Sequence, residues 1–149
     1  MTGRHTSTTS RPATSRRRLA ALLAPAVLPW SLFFFGGDLR LVFAWGLVNP
    51  GSVHVVTLWE YLFSFTMGPA SLPGRLLAWP VGTLLYVLAL ASAFGGRVLR
   101  EDRRLTVGLL ALAGGSHLGF AVGNSRPGTV AVPVGVVVLW AVAWWDWTR

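Results

Sequence analysis

Apolar positions in this chain gather into long blocks separated by short polar punctuation, and four blocks approach the length of a membrane span. Crossing a hydrocarbon core of about 30 Å takes about 20 mainly apolar residues. The blocks cover 19–35 (LAALLAPAVLPWSLFFF), 77–96, 105–123 and 130–147. No arginine or acidic residue interrupts the apolar runs, the fourth being free of charge as far as Trp145. A charge at mid-depth would cost about 3 kcal/mol on insertion scales. The pattern predicts an all-α membrane protein, a four-transmembrane-helix bundle, with these blocks as spans.

The stretch between the first two blocks, 36–75, breaks this pattern. It is far longer than the roughly 2–8 residues that usually join helices in bundles. It is also not polar, as a linker would be. LRLVFAWGLV and VHVV are rich in β-branched residues, partly alternating, and separated by Asn49-Pro50-Gly51-Ser52, which reads as a β-hairpin about a turn. Thr57-Leu58-Trp59-Glu60 is a capping-box pattern opening a short apolar helix to about Met67, closed by Pro69, Pro73 and Gly74. The expectation is an extracellular cap of hairpin plus short helix over 36–75. The competing reading makes 39–65 a re-entrant or spanning pair, which also keeps the span count even.

Charge orients this scheme. All 13 basic residues are arginine, and ten lie in the tail 1–18, in the 96–104 loop or at Arg149. Only Arg40, Arg75 and Arg126 fall on the other side. The positive-inside rule then places both termini in the cytoplasm and the protein in the cell membrane, multi-pass. Residues 1–18 (MTGRHTSTTSRPATSRRR) have almost nothing to bury and are expected to be a disordered basic tail. Ser15-Arg16-Arg17-Arg18-Leu19 with Ala24-Pro25-Ala26 mimics a cleaved secretory signal, but the apolar run continues past it to Phe35. A net charge of +8 would point to nucleic acid in a soluble protein; beside apolar segments, membrane orientation explains it, and no nucleic-acid partner is expected. With no cysteine, disulfides and thiolate chemistry are excluded.

Few residues carry candidate chemistry. Ala111, Gly115, Gly119 and Gly123 recur every fourth position in the third block, a small-residue face that lets another helix approach closely. Packing within the chain is its expected use. His117 is the one ionisable side chain inside a span, a candidate proton carrier, against the plainer reading of a neutral imidazole bonded to serine or backbone. His54 and Glu60 in the cap are its only conceivable partners, and Glu60 is already explained by the capping box. Asp38 after Gly36-Gly37 reads as a turn residue, and Arg97/Glu101 are spaced for a helical ion pair. Trp144, Trp145 and Trp147, with Asp146 and Arg149, read as an inner interfacial anchor; Trp79 and Trp30 would serve the outer one. No P-loop, nucleophile elbow, dinucleotide fingerprint or HExxH pattern is present, so no catalytic residue, cofactor or metal is assigned and no enzyme is expected.

The stretches Leu28-Pro29-Trp30, Trp45 to Pro50 (WGLVNP), Leu58 to Leu62 (LWEYL) and Ala78-Trp79-Pro80 resemble an uncharacterised family of small multi-pass membrane proteins of haloarchaea. The resemblance implies a membrane protein of this length and brings no functional residues with it. The expected role is a non-enzymatic scaffold or accessory subunit in the lipid bilayer, assembling with a membrane-protein partner or as a homo-oligomer through the third-span glycine face. The alternative is a small oligomeric transporter or channel using His117.

Overall fold

The computed structural model describes residues 14–95 and 102–149. The residues 1–13 of the basic tail and the proposed Arg97/Glu101 pair lie outside them. In chain order the elements are α1 (Thr14–Val27), β1 (Ser31–Phe35), β2 (Asp38–Val42), β3 (Gly46–Asn49), β4 (His54–Thr57) and α2 (Leu58–Phe63). A 3-10 turn (Pro69–Ser71), α3 (Gly74–Gly95), α4 (Arg103–Asn124), β5 (Thr129–Val132) and α5 (Val134–Trp147) follow. An all-α four-span bundle is therefore not the fold. The strands form one five-stranded antiparallel sheet in the order β4-β3-β2-β1-β5, and only α3 and α4 are long and apolar enough to cross a membrane among the described residues.

The correction falls on the first and fourth blocks, each of which divides into a helix and a strand. In the first, helix stops at Val27 and the chain becomes extended beyond Pro29, because the residue before a proline is pushed out of the helical region. Ser-Leu-Phe-Phe-Phe then pairs with Asp-Leu-Arg-Leu-Val from Ser31↔Val42 to Phe35↔Asp38. The connection is only Gly36-Gly37, both at positive φ (48° and 105°), the backbone of a tight two-residue hairpin. In the fourth block Thr129–Val132 adds to the other side of β1, and Pro133 caps α5, which has 14 residues. At about 1.5 Å per residue that helix is roughly 21 Å long, well short of a bilayer core.

The cap read from the sequence exists in part. Strands β3 and β4 form the hairpin about Asn49-Pro50-Gly51-Ser52, in register from Gly46↔Thr57 to Asn49↔His54. Thr57 caps α2 in a complete capping box: its Oγ1 accepts from the Glu60 amide at 3.2 Å, while Glu60 Oε2 accepts from the Thr57 amide at 2.9 Å. What the sequence placed above the bundle is instead continuous with it, since β1 leaves α1 and β5 enters α5.

Helices α3 and α4 pack antiparallel. Thr106 Oγ1 donates to Ser92 Oγ at 3.0 Å, and Ser116 Oγ to the Ala78 carbonyl at 2.7 Å. Between those rungs the Gly82 backbone comes so close that a Cβ there would lie 3.3 Å from the Ala113 carbonyl oxygen. Tyr86 Oη donates to the Leu22 carbonyl at 2.6 Å, tying α1 to α3. The β2–β3 turn docks on α3, where Trp79 Nε1 and Thr83 Oγ1 donate to the Phe43 and Ala44 carbonyls at 2.9 and 2.7 Å.

Two of the tryptophans expected at an interface are core residues instead. Trp79 and Trp30 are fully buried. Trp30 is the junction between helices and sheet. Its amide donates to the Val42 carbonyl at 2.6 Å and its indole to the Pro25 carbonyl at 2.7 Å; its own carbonyl accepts from the Gly135 amide at 2.8 Å. Trp144 and Trp147 stay exposed, and Trp145 stacks under the Arg149 guanidinium, 4.0 Å from the ring centroid. Asp146 is no part of a surface anchor. Its buried carboxylate accepts two parallel bonds from Arg18, at 2.7 and 2.9 Å, which clamps the start of α1 to the end of α5.

Candidate functional sites

Two places gather polar groups: a closed one around His117 and an open one between the sheet and the outer ends of α3 and α4.

His117 is completely buried, and its partner is Ser31 at the start of β1, 86 residues away in sequence. Ser31 Oγ and His117 Nε2 are 2.8 Å apart, with Ser31 equally buried. The edge of Trp30 stands against the imidazole at 5.1 Å, and Phe120, one turn further along α4, flanks it at 5.5 Å. Nδ1 has no partner. No serine has a histidine at a catalytic spacing along the chain; the fold supplies one. A serine and histidine at this distance form part of a nucleophile set; among the described residues no carboxylate bonds Nδ1, and neither residue lines a described cavity. As it stands, it is a polar tie between the sheet and α4.

His54 and Glu60 do not join His117. Among the described residues no group of three or more His, Cys, Asp or Glu side chains comes together to hold a metal ion. Glu60 is fully exposed at the third position of α2. Its carboxyl is held below its ordinary value by the Thr57 backbone bond first and the Thr57 hydroxyl second, with a smaller contribution from His54 nearby. His54 sits on the edge strand β4, beside Asn49.

The small-residue face of α4 does not pack inside the chain. A Cβ at Gly115 or Gly119 would meet nothing within 4 Å, and Ala111 is exposed; only Gly123 has a neighbour, the Arg75 Cβ at 3.1 Å. Close helix contact is made by other glycines, Gly82 against α4, Gly114 against the Trp140 indole and Gly135 against Trp30. Spacing of four identifies a face but not what faces it. The buried face of α4 runs through Leu110, Ala113, His117 and Phe120, and Ala111 takes part only through its carbonyl, which accepts from Trp140 Nε1 at 3.1 Å.

The open site is one that sequence reasoning missed. Side chains alternate along a strand, so Phe33 and Phe35 of β1 share a face with Arg40 and Val42 of β2. That face looks toward α4, since Phe33 meets Phe120 edge-on at 5.7 Å. Between it and the helix ends lies a cavity of about 370 Å³, lined by Phe33, Arg40, Tyr61, Phe120, Asn124 and Arg126 among others. A neighbouring cavity of about 350 Å³ shares Arg40, Leu47 and Tyr61 and adds Asn49 and His54. Gly36-Gly37 between two apolar runs was the signal for the hairpin that builds this face, a dipeptide favoured in two-residue turns.

The chain belongs to the family described as domain of unknown function DUF8050, whose model matches residues 1–149. No curated protein matches it.

Proposed function

Taking a DUF8050 membership that covers the whole chain as the premise, we propose that this protein is a membrane-embedded, non-enzymatic scaffold or accessory subunit anchored by the α3–α4 hairpin. The observation that supports this is the exposure of those two helices. Each has 22 residues, yet only 28% and 39% of their apolar windows are buried inside the chain. The core helix of a soluble domain would be mostly covered. Here Leu84, Val87, Leu88 and Leu112 are exposed, a surface that water tolerates poorly and lipid accepts.

Open sheet edges cannot lie in hydrocarbon, because their amide groups would go unpaired there. Strands β4 and β5 are such edges, so the sheet belongs at the aqueous boundary, on the side of Arg40, Arg75 and Arg126. Arg16, Arg17, Arg18, Arg103, Arg104 and Arg149 lie toward the other end of the helices, which in this reading is the cytoplasmic side. The sheet then presents the recognition surface. The uncovered Gly115–Gly119 face of α4 offers close approach to a neighbouring helix. His117 enters none of the described cavities, so nothing favours a conducting role for it.

The chain has no cysteine, so one introduced cysteine is a unique label. Under this reading the protein stays with membranes through alkaline carbonate washing. Ser52→Cys in the β3–β4 turn reacts with an impermeant maleimide in intact cells, and Thr148→Cys reacts only after permeabilisation. Gly119→Leu, which has open space to occupy, leaves folding intact and loses co-purifying membrane partners. Release of the protein by carbonate refutes the membrane reading, and unchanged partners in Gly119→Leu refute the role given to that face.

A further inference from the structure

We infer that the cup between the sheet and the outer ends of α3 and α4 binds a phosphate group, held between the guanidinium groups of Arg40 and Arg126. Both arginines line the same cavity of about 370 Å³. Each is placed by backbone pairing, not by a loose loop. Arg40 sits opposite Phe33 in the β1–β2 ladder, with its guanidinium 5.1 Å from the centroid of the Phe35 ring, along the inward face of the sheet. Arg126 is fixed by paired backbone bonds with Thr129, Arg126 amide to Thr129 carbonyl at 3.2 Å and the reverse at 2.8 Å.

No carboxylate lines this cavity or its neighbour. Asp38 lies opposite Phe35, on the same face as Arg40 and two residues from it, but makes no ion pair with it among the described residues and lines neither space. The partly buried Arg18, by contrast, is met by an acid, Asp146. Arg40 and Arg126 are both exposed at the rim of this cavity, and two like charges facing one space repel each other and are stabilised by an anion between them. Arginine forks match phosphate oxygens in pairs, which favours phosphate among anions.

A third donor is already in place. Tyr61 lines both cavities, and its buried hydroxyl has no partner. Burial pushes the Tyr61 phenol up from its ordinary value, so it stays protonated and able to donate. Apart from Asn124 and Thr129 the remaining wall, with Phe33, Leu76 and Phe120, is apolar and suits the first part of an attached hydrocarbon. The phosphate is thus either the head of an anionic amphiphile or the free ion. The site does not depend on α3 and α4 crossing a bilayer, since its walls are the sheet and the packed helix ends themselves.

The test uses the full-length protein in a neutral detergent with three probes: inorganic phosphate, a short-chain phosphatidylglycerol and the matching phosphatidylcholine. Binding is read by titration calorimetry and by the rise in unfolding temperature. A charged hydrogen-bonding partner is worth roughly tenfold to a hundredfold in affinity, so Arg40→Gln and Arg126→Gln are each expected to weaken binding by about that factor. Arg75→Gln lines neither cavity and is expected to bind as the parent does. Phosphatidylglycerol binding without phosphate binding assigns a lipid head; comparable binding of both assigns the free ion as sufficient. Tyr61→Phe removes only an unpaired hydroxyl and keeps the packing, so it serves if a glutamine variant does not fold, with a several-fold loss expected. No binding of either anion, equal binding of phosphatidylcholine, or affinity unchanged in all three site variants overturns the proposal.

Discussion

Gly135→Ala tests how the helices and the sheet are joined. Gly135 opens α5 directly against Trp30, and a Cβ there would run into the Trp30 Cα and the base of its side chain. Trp30 has little freedom to retreat. Three hydrogen bonds, to Val42, Pro25 and Gly135 itself, hold its backbone and ring, and Tyr86 and His117 stand against the indole at 5.6 and 5.1 Å. Overpacking of this kind costs about 1–3 kcal/mol, and more where backbone must move. The gain from replacing glycine in a helix is at most about 1 kcal/mol and smaller in a first turn. A net loss of about 2 kcal/mol corresponds to a fall in unfolding temperature of roughly 4–8 °C for a chain of this size. The control is Gly115→Ala, where the new methyl meets nothing within 4 Å; it should be neutral or stabilising by about 0.5–1 kcal/mol. Thermal unfolding in detergent, followed by tryptophan fluorescence, reads both. Unfolding of Gly135→Ala at the parental temperature, or a fall in Gly115→Ala as large as that in Gly135→Ala, would refute this account of the junction.

Two further outcomes follow from single contacts. The Arg18–Asp146 clamp is unequal, because the Asp146 side chain is fully buried while that of Arg18 is 18% exposed. Arg18→Gln strands a buried carboxylate and should cost about 3 kcal/mol or more, whereas Asp146→Asn lets arginine turn to water and should cost less; equal losses in denaturant titration would contradict this. The Glu60 carboxyl is depressed below 4.5 by its capping bonds. Its contribution to α2 is therefore complete above 4.5 and disappears as pH falls through the lower folded-state value. In an NMR titration the Glu60 midpoint should lie below 4.5 and move up in Thr57→Ala; an unmoved midpoint would remove the capping box as the cause.

Much of the local structure was legible in the sequence. The second and third apolar blocks became α3 and α4 with boundaries within a few residues, because uninterrupted apolar runs of that length are too long for strands and argue for helix. Thr57-Leu58-Trp59-Glu60 made its capping box, and Asn49-Pro50-Gly51-Ser52 its hairpin, because both patterns close within a few residues of chain. The first and fourth blocks misled. Apolar runs such as SLFFF and TVAV give no periodicity that separates helix from a covered strand, and the choice depends on a partner strand elsewhere in the chain.

Sequence alone therefore determined which segments are apolar, where the charges lie and how the short turns close, since those depend on neighbours along the chain. Only the tertiary structure decided that Ser31 faces His117, that Asp146 holds Arg18 across 128 residues and that Arg40 and Arg126 share a cavity. It also decided that Gly115 and Gly119 are left uncovered. The Ser31–His117 contact and the shared cavity depend on how β1 lies between β2 and β5. Strand pairing joins residues distant in sequence through backbone groups that every residue carries, so the side-chain pattern of any one segment does not reveal its partner.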